Sequence, residues 1–291
     1  MSVFDAILLG LVQGVTSFLP VSSSGHVAVL EHFLGIESNI GAFLSVMLNL
    51  GTMVAIILSF WKDILKILTA TLDIFRDIWK NICIFMSNAA KGQDNVYIKL
   101  LSSNYRRFAV LIYISAIPTA ILGYLIEKSL SDISSLLVVG LGFLATGILM
   151  LLVDYIKLGK KQPKDASLVS GLIVGACQGI ATLPGVSRYG ITLSAGILCG
   201  YNRKFAIKYS FLMSIPAIMG ALILEITDAV ADPAIGLLFA LKSIVGALVA
   251  CITGLFCIRI MFILIQKKRL RYFSFYCFII GNVPIAGNVL L

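Results

Sequence analysis

Two short interruptions of long apolar stretches carry the side chains that could do chemistry. The first is Pro20-Val-Ser-Ser-Ser-Gly25, followed at once by His26, and the second is Pro184-Gly-Val-Ser-Arg-Tyr-Gly190. Serine is a good N-cap residue, and a helix N-terminus presents free N–H groups and a partial positive charge. Arg188 can hold two phosphate oxygens with its planar guanidinium. Two helix starts beside Arg188 therefore predict an anion site that suits phosphate.

A functional and a structural interpretation exist for each ionisable residue at these breaks. A charged side chain inside a membrane is costly, so Arg188 is a functional candidate, with a brace on backbone carbonyls as the alternative. His26 could donate a proton, attack phosphorus or bind a metal, with a hydrogen-bonded structural histidine as the alternative. We predict that both residues serve function.

The composition places these breaks in a membrane protein. The 291 residues are 59% hydrophobic and 13% charged, and the mean hydropathy is +1.01. These values exclude a soluble globular domain, a disordered chain and a disulfide mini-protein. The net charge of +9 would favour nucleic acid as a partner of a soluble protein, but loop charge that sets membrane orientation explains it better, so we predict no nucleic-acid partner.

Apolar segments predict an all-α polytopic membrane protein in a single domain, residues 1–291. Two regions, 3–36 and 168–200, are broken by the interruptions into arms too short to cross, so we predict a re-entrant helical hairpin at each. Six further segments are long enough to span. They lie at roughly 40–60, 107–127, 133–153, 205–226, 234–262 and 272–291.

Basic residues predict the orientation. Nineteen of the 23 Lys and Arg residues lie in segments 62–107, 154–165, 203–208 and 267–271, which the positive-inside rule places in the cytoplasm. Six crossings with both termini outside satisfy every loop, and the first hairpin then enters from outside and the second from inside. Segment 62–105 mixes apolar and charged residues at helical spacing, which predicts an amphipathic helix on the cytoplasmic surface or a helix that covers the bundle.

The two broken regions are copies of one motif. Residues 10–25 align with residues 175–190 without gaps. Because the copies enter from opposite sides, we predict an inverted-topology repeat with a polar cavity near the bilayer midplane, lined by both breaks. The identical pairs are Gly10/Gly175, Gln13/Gln178, Gly14/Gly179, Val21/Val186, Ser22/Ser187 and Gly25/Gly190.

Over nearly the whole chain the sequence resembles the undecaprenyl-pyrophosphate phosphatase family, which is associated with bacitracin resistance. Phe18-Leu-Pro-Val-Ser-Ser-Ser-Gly-His26 is similar to the family's FLPVSSTGH, and Pro184-Gly-Val-Ser-Arg-Tyr-Gly190 to its PGxSRSG. The resemblance implies a membrane hydrolase of the bacterial plasma membrane. Such an enzyme removes one phosphate from undecaprenyl pyrophosphate at the outer face and recycles the lipid carrier of peptidoglycan biosynthesis.

The resemblance also implies roles for single residues. Ser23 and His26 match the family's reactive serine and histidine, and Arg188 matches its phosphate-binding arginine, so we predict these three as catalytic. The predicted substrate-binding residues are Gln13, Ser17, Ser22, Ser24, Gly25, Gln178, Gly185 and Ser187.

One departure from the family pattern leaves two functions open. The family has two glutamates for acid–base work and divalent-metal binding where this chain has Gln13 and Ser17. We therefore predict no metal ligands, and Mg²⁺ or Ca²⁺ could enter only with the pyrophosphate. Either the chain hydrolyses polyprenyl pyrophosphate through His26 or at a reduced rate, or it is a non-catalytic relative that binds or translocates an anionic polyprenyl-phosphate lipid or phospholipid.

Overall fold

The computed structural model describes residues 2–34, 38–92, 94–130, 136–156, 159–231, 236–267 and 269–290. The described residues form eleven α-helices and one short 3-10 turn, which confirms the all-α prediction. The helices are α1 (Val3–Phe18), α2 (Ser23–Leu34), α3 (Ser38–Ser59), α4 (Trp61–Lys91), α5 (Asn104–Leu130), α6 (Leu136–Tyr155), α7 (Leu168–Ile180), α8 (Arg188–Leu198), α9 (Arg203–Ala231), α10 (Leu237–Gln266) and α11 (Leu270–Leu290).

The long apolar helices make this a multi-pass membrane protein. Within the described residues, four helices are long and apolar enough to span, and they lie in α5, α6, α9 and α10. A fifth span results if α3 and α4, which meet at an angle of 82°, are counted as one. Each of the six predicted segments coincides with a helix, although their ends at 133–135, 234–235 and 291 lie outside the described residues, as do residues 35–36 of the first predicted hairpin.

Helix α4 is shorter than the predicted amphipathic segment 62–105. It ends at Lys91 because Gly92 adopts a left-handed conformation (φ 61°), and its N–H donates to the carbonyl of Asn88. The chain then folds back in an extended form, where Asn81 exchanges two hydrogen bonds with the backbone of Ile98. The amphipathic helix therefore covers only the first two thirds of the predicted segment.

The two predicted breaks are real, but both lie nearer the N-terminus than the sequence motifs. The first runs from Leu19 to Ser22 between α1 and α2, and the second from Ala181 to Ser187 between α7 and α8. Gly185 adopts a φ of 81°, which lets the second break turn sharply. Gly25 and Gly190 lie in the first turns of α2 and α8, because the preceding serines begin the helices earlier than the motifs suggest.

Glycines fix the packing of the first arm of each hairpin. A Cβ atom on Gly10 of α1 would overlap the carbonyl oxygen of Gly246 in α10, and one on Gly175 of α7 would overlap the carbonyl oxygen of Ser115 in α5. A second glycine follows four residues later in both arms, which is the small-residue spacing that lets membrane helices approach closely. Thus α1 lies on α10 and α7 lies on α5.

The directions of the helices follow from these contacts. Positions 10 and 14 of α1 contact positions 246 and 250 of α10, so these two helices run parallel. Positions 175 and 179 of α7 contact positions 115 and 119 of α5, so this pair of helices is also parallel. The start of α5 and the end of α10 line one cavity of about 410 Å³, so α5 and α10 run in opposite directions. The two first arms, α1 and α7, therefore also run in opposite directions. The cavity between the start of α5 and the end of α10 is called the basic-end cavity below. Its walls include Asp63, Asn104, Tyr105, Lys204, Lys208 and Gln266.

Candidate anion-binding site between the two helix breaks

A cavity of about 470 Å³ lies between the two breaks. Its walls come from both hairpins, from the middle of α3 and from the second halves of α5 and α9. Seven of the eleven predicted site residues line it. They are Gln13, Ser17, Ser22, Ser23, Ser24, Ser187 and Arg188. The structure thus brings the two copies of the motif to one polar site.

Both copies start their second helix with the same capping contact. The Ser187 hydroxyl accepts a hydrogen bond of 3.1 Å from the N–H of Gly190, three residues later. The Ser22 hydroxyl accepts a longer hydrogen bond, of 3.5 Å, from the N–H of Gly25, again three residues later. Among the described residues, Ser22 is the one non-glycine residue with a positive φ, 64°. Such a backbone is strained for serine, and it lets α2 begin at the cavity wall.

Arg188 is the charged residue of the cavity lining within the described part of the chain. It is the first residue of α8, and its side chain is partly buried. Across the described residues, no carboxylate oxygen lies within 4.0 Å of its guanidinium. The starts of α2 and α8 add partial positive charge at the same wall. The cavity is therefore electropositive and has an arginine free to bind an anion.

A polar face of α3 completes the site, and sequence reasoning gave it little weight. Ser45, Asn49 and Thr52 follow helical spacing on one side of α3, and all three line the cavity. The Asn49 side-chain oxygen accepts a hydrogen bond of 2.9 Å from the amide of Gln13. The helical spacing of these polar residues within an otherwise apolar span could have predicted their place in the site, because polar groups at that depth face protein or a watery cavity.

His26 lies beside the site and is not among the residues that line the cavity. One ring nitrogen, Nδ1, is 2.7 Å from the backbone oxygen of Ser22, and Nε2 is 2.7 Å from the hydroxyl of Tyr276 on α11. A carbonyl can only accept, so Nδ1 donates and, in the neutral ring, Nε2 accepts from Tyr276. The ring also stacks on Tyr276 and meets the edge of Phe143. This arrangement anchors the strained Ser22 backbone.

The other predicted residues outside the lining have packing roles. Gln178 is buried, and its amide donates to the carbonyl of Met213 at 3.3 Å and to the Thr119 hydroxyl at 3.5 Å. A Cβ atom on Gly25 would lie 2.6 Å from the ring of Phe143. One on Gly185 would overlap the carbonyl oxygen of Val139. Close packing and hydrogen bonds within the protein therefore explain why glutamine and glycine occur at these positions.

The donors at this site do not fit a resident divalent cation. Mg²⁺ and Ca²⁺ prefer carboxylate oxygens among their ligands. The described lining offers neutral amides and hydroxyls beside the positive Arg188. Among the described residues, no three His, Cys, Asp or Glu side chains form a group that could hold a metal ion. We therefore assign no step of the chemistry to a protein-bound metal.

Fold and site together define a class, a multi-pass membrane protein whose broken helices enclose a polar cavity with an arginine in its wall. The family model described as bacitracin resistance protein BacA matches residues 6–283. The chain belongs to this family, as the motif resemblance predicts. Family membership, rather than the cavity alone, limits which substrate and which reaction the site can serve.

Relatives named undecaprenyl-diphosphatase match the chain along its length. A protein of Alkaliphilus metalliredigens is 35% identical over 291 residues, which is 100% of both chains. One from Methanosphaera stadtmanae is 36% identical over 300 residues, again 100% of both. One from Thermosipho africanus is 37% identical over 278 residues, 95% of this chain and 97% of its own. The relatives come from bacteria and archaea, so members of the family occur in a wider range of organisms than the prediction of a bacterial membrane implies.

Proposed function

We propose that the chain is an undecaprenyl-diphosphatase that binds the diphosphate of its lipid substrate in the cavity between the helix breaks. The observation that carries this proposal is the Arg188 guanidinium, which has no carboxylate partner in the described chain and lies at the start of α8 in the cavity wall. The family of full-length relatives supplies the substrate and the reaction.

The reaction adds water across the phosphoric anhydride. The bond between the terminal phosphorus and the bridging oxygen breaks, and the lipid monophosphate departs with the electron pair. Arg188 and the N-termini of α2 and α8 stabilise the negative charge on the phosphates. Ser23, on the first turn of α2, contacts the departing oxygen. Water supplies the new oxygen of inorganic phosphate.

His26 is the proposed proton-transfer or nucleophilic residue. It lies three residues after Ser23, so both side chains share one face of α2. For Nε2 to reach a phosphate in the cavity, its hydrogen bond to Tyr276 must break and the ring must turn. If the ring stays on Tyr276, His26 has a positioning role instead, because its hydrogen bond to the Ser22 carbonyl fixes the backbone that leads into α2.

The helix directions support the predicted membrane arrangement of six crossings and two re-entrant hairpins. The positive-inside rule predicts a cytoplasmic start of α5. Ile126, which lines the site, is 22 residues or ~33 Å further along this helix. We therefore propose that the site opens toward the outer face and that both termini are outside. The opposite directions of α1 and α7 support an inverted repeat.

A second function has its own support in the composition of the lining. The described lining holds no carboxylate that could act as a general base, while the features that bind an anion are present. The alternative is a protein that binds or translocates an anionic polyprenyl-phosphate lipid without hydrolysing it. Oppositely directed broken helices are typical of transporters.

Phosphate release from undecaprenyl pyrophosphate by the purified chain in detergent distinguishes the two. We would measure it with Mg²⁺ and with a chelator, for wild type and for His26→Ala. An enzyme releases phosphate, and His26→Ala lowers the rate by about 10²-fold or more, which is typical of a lost acid–base group. Arg259→Ala is the matched control for Arg188→Ala, because Arg259 is exposed on α10 and lies outside the cavity lining.

No release by wild type under either condition would overturn the phosphatase proposal. Lipid binding by the same protein that survives Arg259→Ala and fails in Arg188→Ala would then favour the alternative. Loss of both release and binding in every sample would contradict both functions.

A further inference from the structure

The basic-end cavity lies at the opposite end of α5 and α9 from the proposed catalytic site. On α9 its wall includes Lys204, whereas the catalytic cavity is lined by Ala221, 17 residues or ~25 Å further along the helix. The two cavities are therefore separate, and the proposed hydrolysis does not use this one. Its volume of about 410 Å³ is large enough for a small amphiphilic group.

Helix α4 sets the depth of this cavity in the membrane. It leaves α3 at 82°, so it lies along the membrane surface if α3 crosses the membrane. One side of it exposes large apolar residues such as Leu68, Leu72 and Trp79, and basic residues are interspersed, as in helices that lie in the headgroup region. Asp63 from the first turn of α4 forms part of the cavity wall, which places the cavity at headgroup depth.

The charges of the cavity favour an anion. Lys208 is paired with Asp63 at 2.9 Å, and the Tyr105 hydroxyl donates to the same carboxylate at 3.0 Å. Lys204 is exposed, and among the described residues no carboxylate lies within 4.0 Å of its ammonium. With Asp63 balanced by Lys208, the Lys204 charge remains, and the starts of α5 and α9 add partial positive charge.

The other walls are aromatic. Phe108, Phe205 and Phe262 line the cavity beside the lysines and the side-chain amides of Asn104 and Asn202. A soluble inorganic anion would gain nothing from phenylalanine rings. A lipid gains from both kinds of wall, because its phosphate meets the basic end and its first methylene groups cover the rings.

We propose that the basic-end cavity is a second lipid site, which binds the phosphate headgroup of an anionic membrane lipid in the leaflet that faces the basic loops. The phosphate lies between Lys204 and the start of α5, and the acyl chains leave along the phenylalanine wall toward α4. This site is independent of the catalytic cavity and binds the headgroup phosphate without hydrolysing it.

The test uses the full-length chain with the catalytic cavity silenced by Arg188→Gln. Trp61 and Trp79 are the two tryptophans of the chain, and both lie on α4, so Trp79→Phe leaves Trp61, two residues from Asp63, as the reporter. Dioctanoyl phosphatidic acid, dioctanoyl phosphatidylcholine and inorganic phosphate are titrated separately in a non-ionic detergent. Trp61 emission and the thermal midpoint are recorded.

Lys204→Glu and Asn104→Asp are the test variants. Both positions are exposed, and an acidic residue in the first turn of α5 is compatible with the helix, so each protein should keep its ligand-free thermal midpoint. Lys80→Glu is the matched control, since it makes the same charge reversal on α4 about 25 Å from Asp63 by helical rise.

Phosphatidic acid is expected to bind at least about tenfold more tightly than phosphatidylcholine, and Lys204→Glu or Asn104→Asp to weaken it about tenfold, as for a lost charged hydrogen bond. Lys80→Glu should leave the affinity unchanged. Equal affinity for the two lipids, or no effect of both test variants, would overturn the proposal. Inorganic phosphate that binds as tightly as phosphatidic acid would overturn the lipid assignment.

Discussion

The two hairpins share a sequence motif but contribute differently to the site. The first lines the cavity with hydroxyls and an amide, whereas the second supplies its charge. At aligned positions the first has Ser23 and the second has Arg188. Gln13 borders the cavity and bonds to Asn49, whereas its counterpart Gln178 is buried against α5 and α9.

This difference separates the residues that shape the fold from those that do chemistry. The shared glycines allow each first arm to approach a long helix, and the shared serines cap the second arms. Both tasks are set by the backbone and are therefore the same in both copies. The residues that differ, Ser23 and Arg188, are those that we place on the substrate.

Removal of the charge from the second hairpin should have the largest effect. Arg188→Gln is expected to lower kcat/KM for undecaprenyl pyrophosphate by about 10²–10³-fold, as when one donor to a developing anion is lost. Arg188→Lys should recover part of the loss, because lysine keeps the charge without the planar fork. Phosphate release measures both, and equal rates for wild type and Arg188→Gln would refute the assignment.

Acidic residues should act differently in the two hairpins. Gln13→Glu with Ser17→Glu places carboxylates at the cavity, so we expect a gain of about 10²-fold in phosphate release and a new dependence on Mg²⁺. Gln178→Glu buries a charge without a partner and should destabilise the protein by about 3 kcal/mol or more without any gain in rate. A gain from Gln178→Glu would show that the second glutamine reaches the substrate.

The glycine contacts should matter equally in both hairpins. Gly10→Ala and Gly175→Ala each force a methyl group into a backbone carbonyl of the neighbouring helix, with an expected cost of roughly 1–3 kcal/mol in the free energy of unfolding. Gly220→Ala is the control, since a Cβ atom there meets nothing within 4 Å. Thermal unfolding in detergent measures all three, and a loss in Gly220→Ala equal to the others would contradict the packing account.

The smallest effects should separate the two glutamines by assay. Gln13→Ala removes the contact to Asn49 and is expected to change KM by less than about tenfold while thermal stability stays near that of wild type. Gln178→Ala should lower stability by about 1 kcal/mol and leave kcat and KM unchanged in the folded fraction. The reverse pattern would mean that the roles of the two copies have been exchanged.

Much of this arrangement is predictable from sequence because it follows from local signals. Hydropathy locates the long helices, and proline followed by serine and glycine locates both breaks. The end of α4 is not visible in its periodicity, since the helix stops where Gly92 turns left-handed rather than where the apolar pattern ends. The GxxxG spacing of both arms was present in the sequence, but the partner helices are a tertiary result.

The position of His26 could not be read from its neighbours in sequence. The motif places it one turn after Ser23, but α11, 250 residues further on, supplies the Tyr276 hydroxyl that holds its ring. Gln178 is similar, because the same residue type in an aligned motif meets α5 and α9 rather than the cavity. Sequence identity between the copies predicts backbone shape better than side-chain surroundings.

The central claim is that both hairpins act on one phosphate-bearing ligand, and a double-mutant cycle between Ser23 and Arg188 tests it most directly. We would measure kcat/KM for phosphate release in Ser23→Ala, Arg188→Gln and the double variant. Residues that share a ligand should be coupled, so the double variant is expected to lose less than the product of the two single losses, with a coupling energy of about 0.5–3 kcal/mol. Independent, multiplicative losses would contradict the claim that the two breaks form one site.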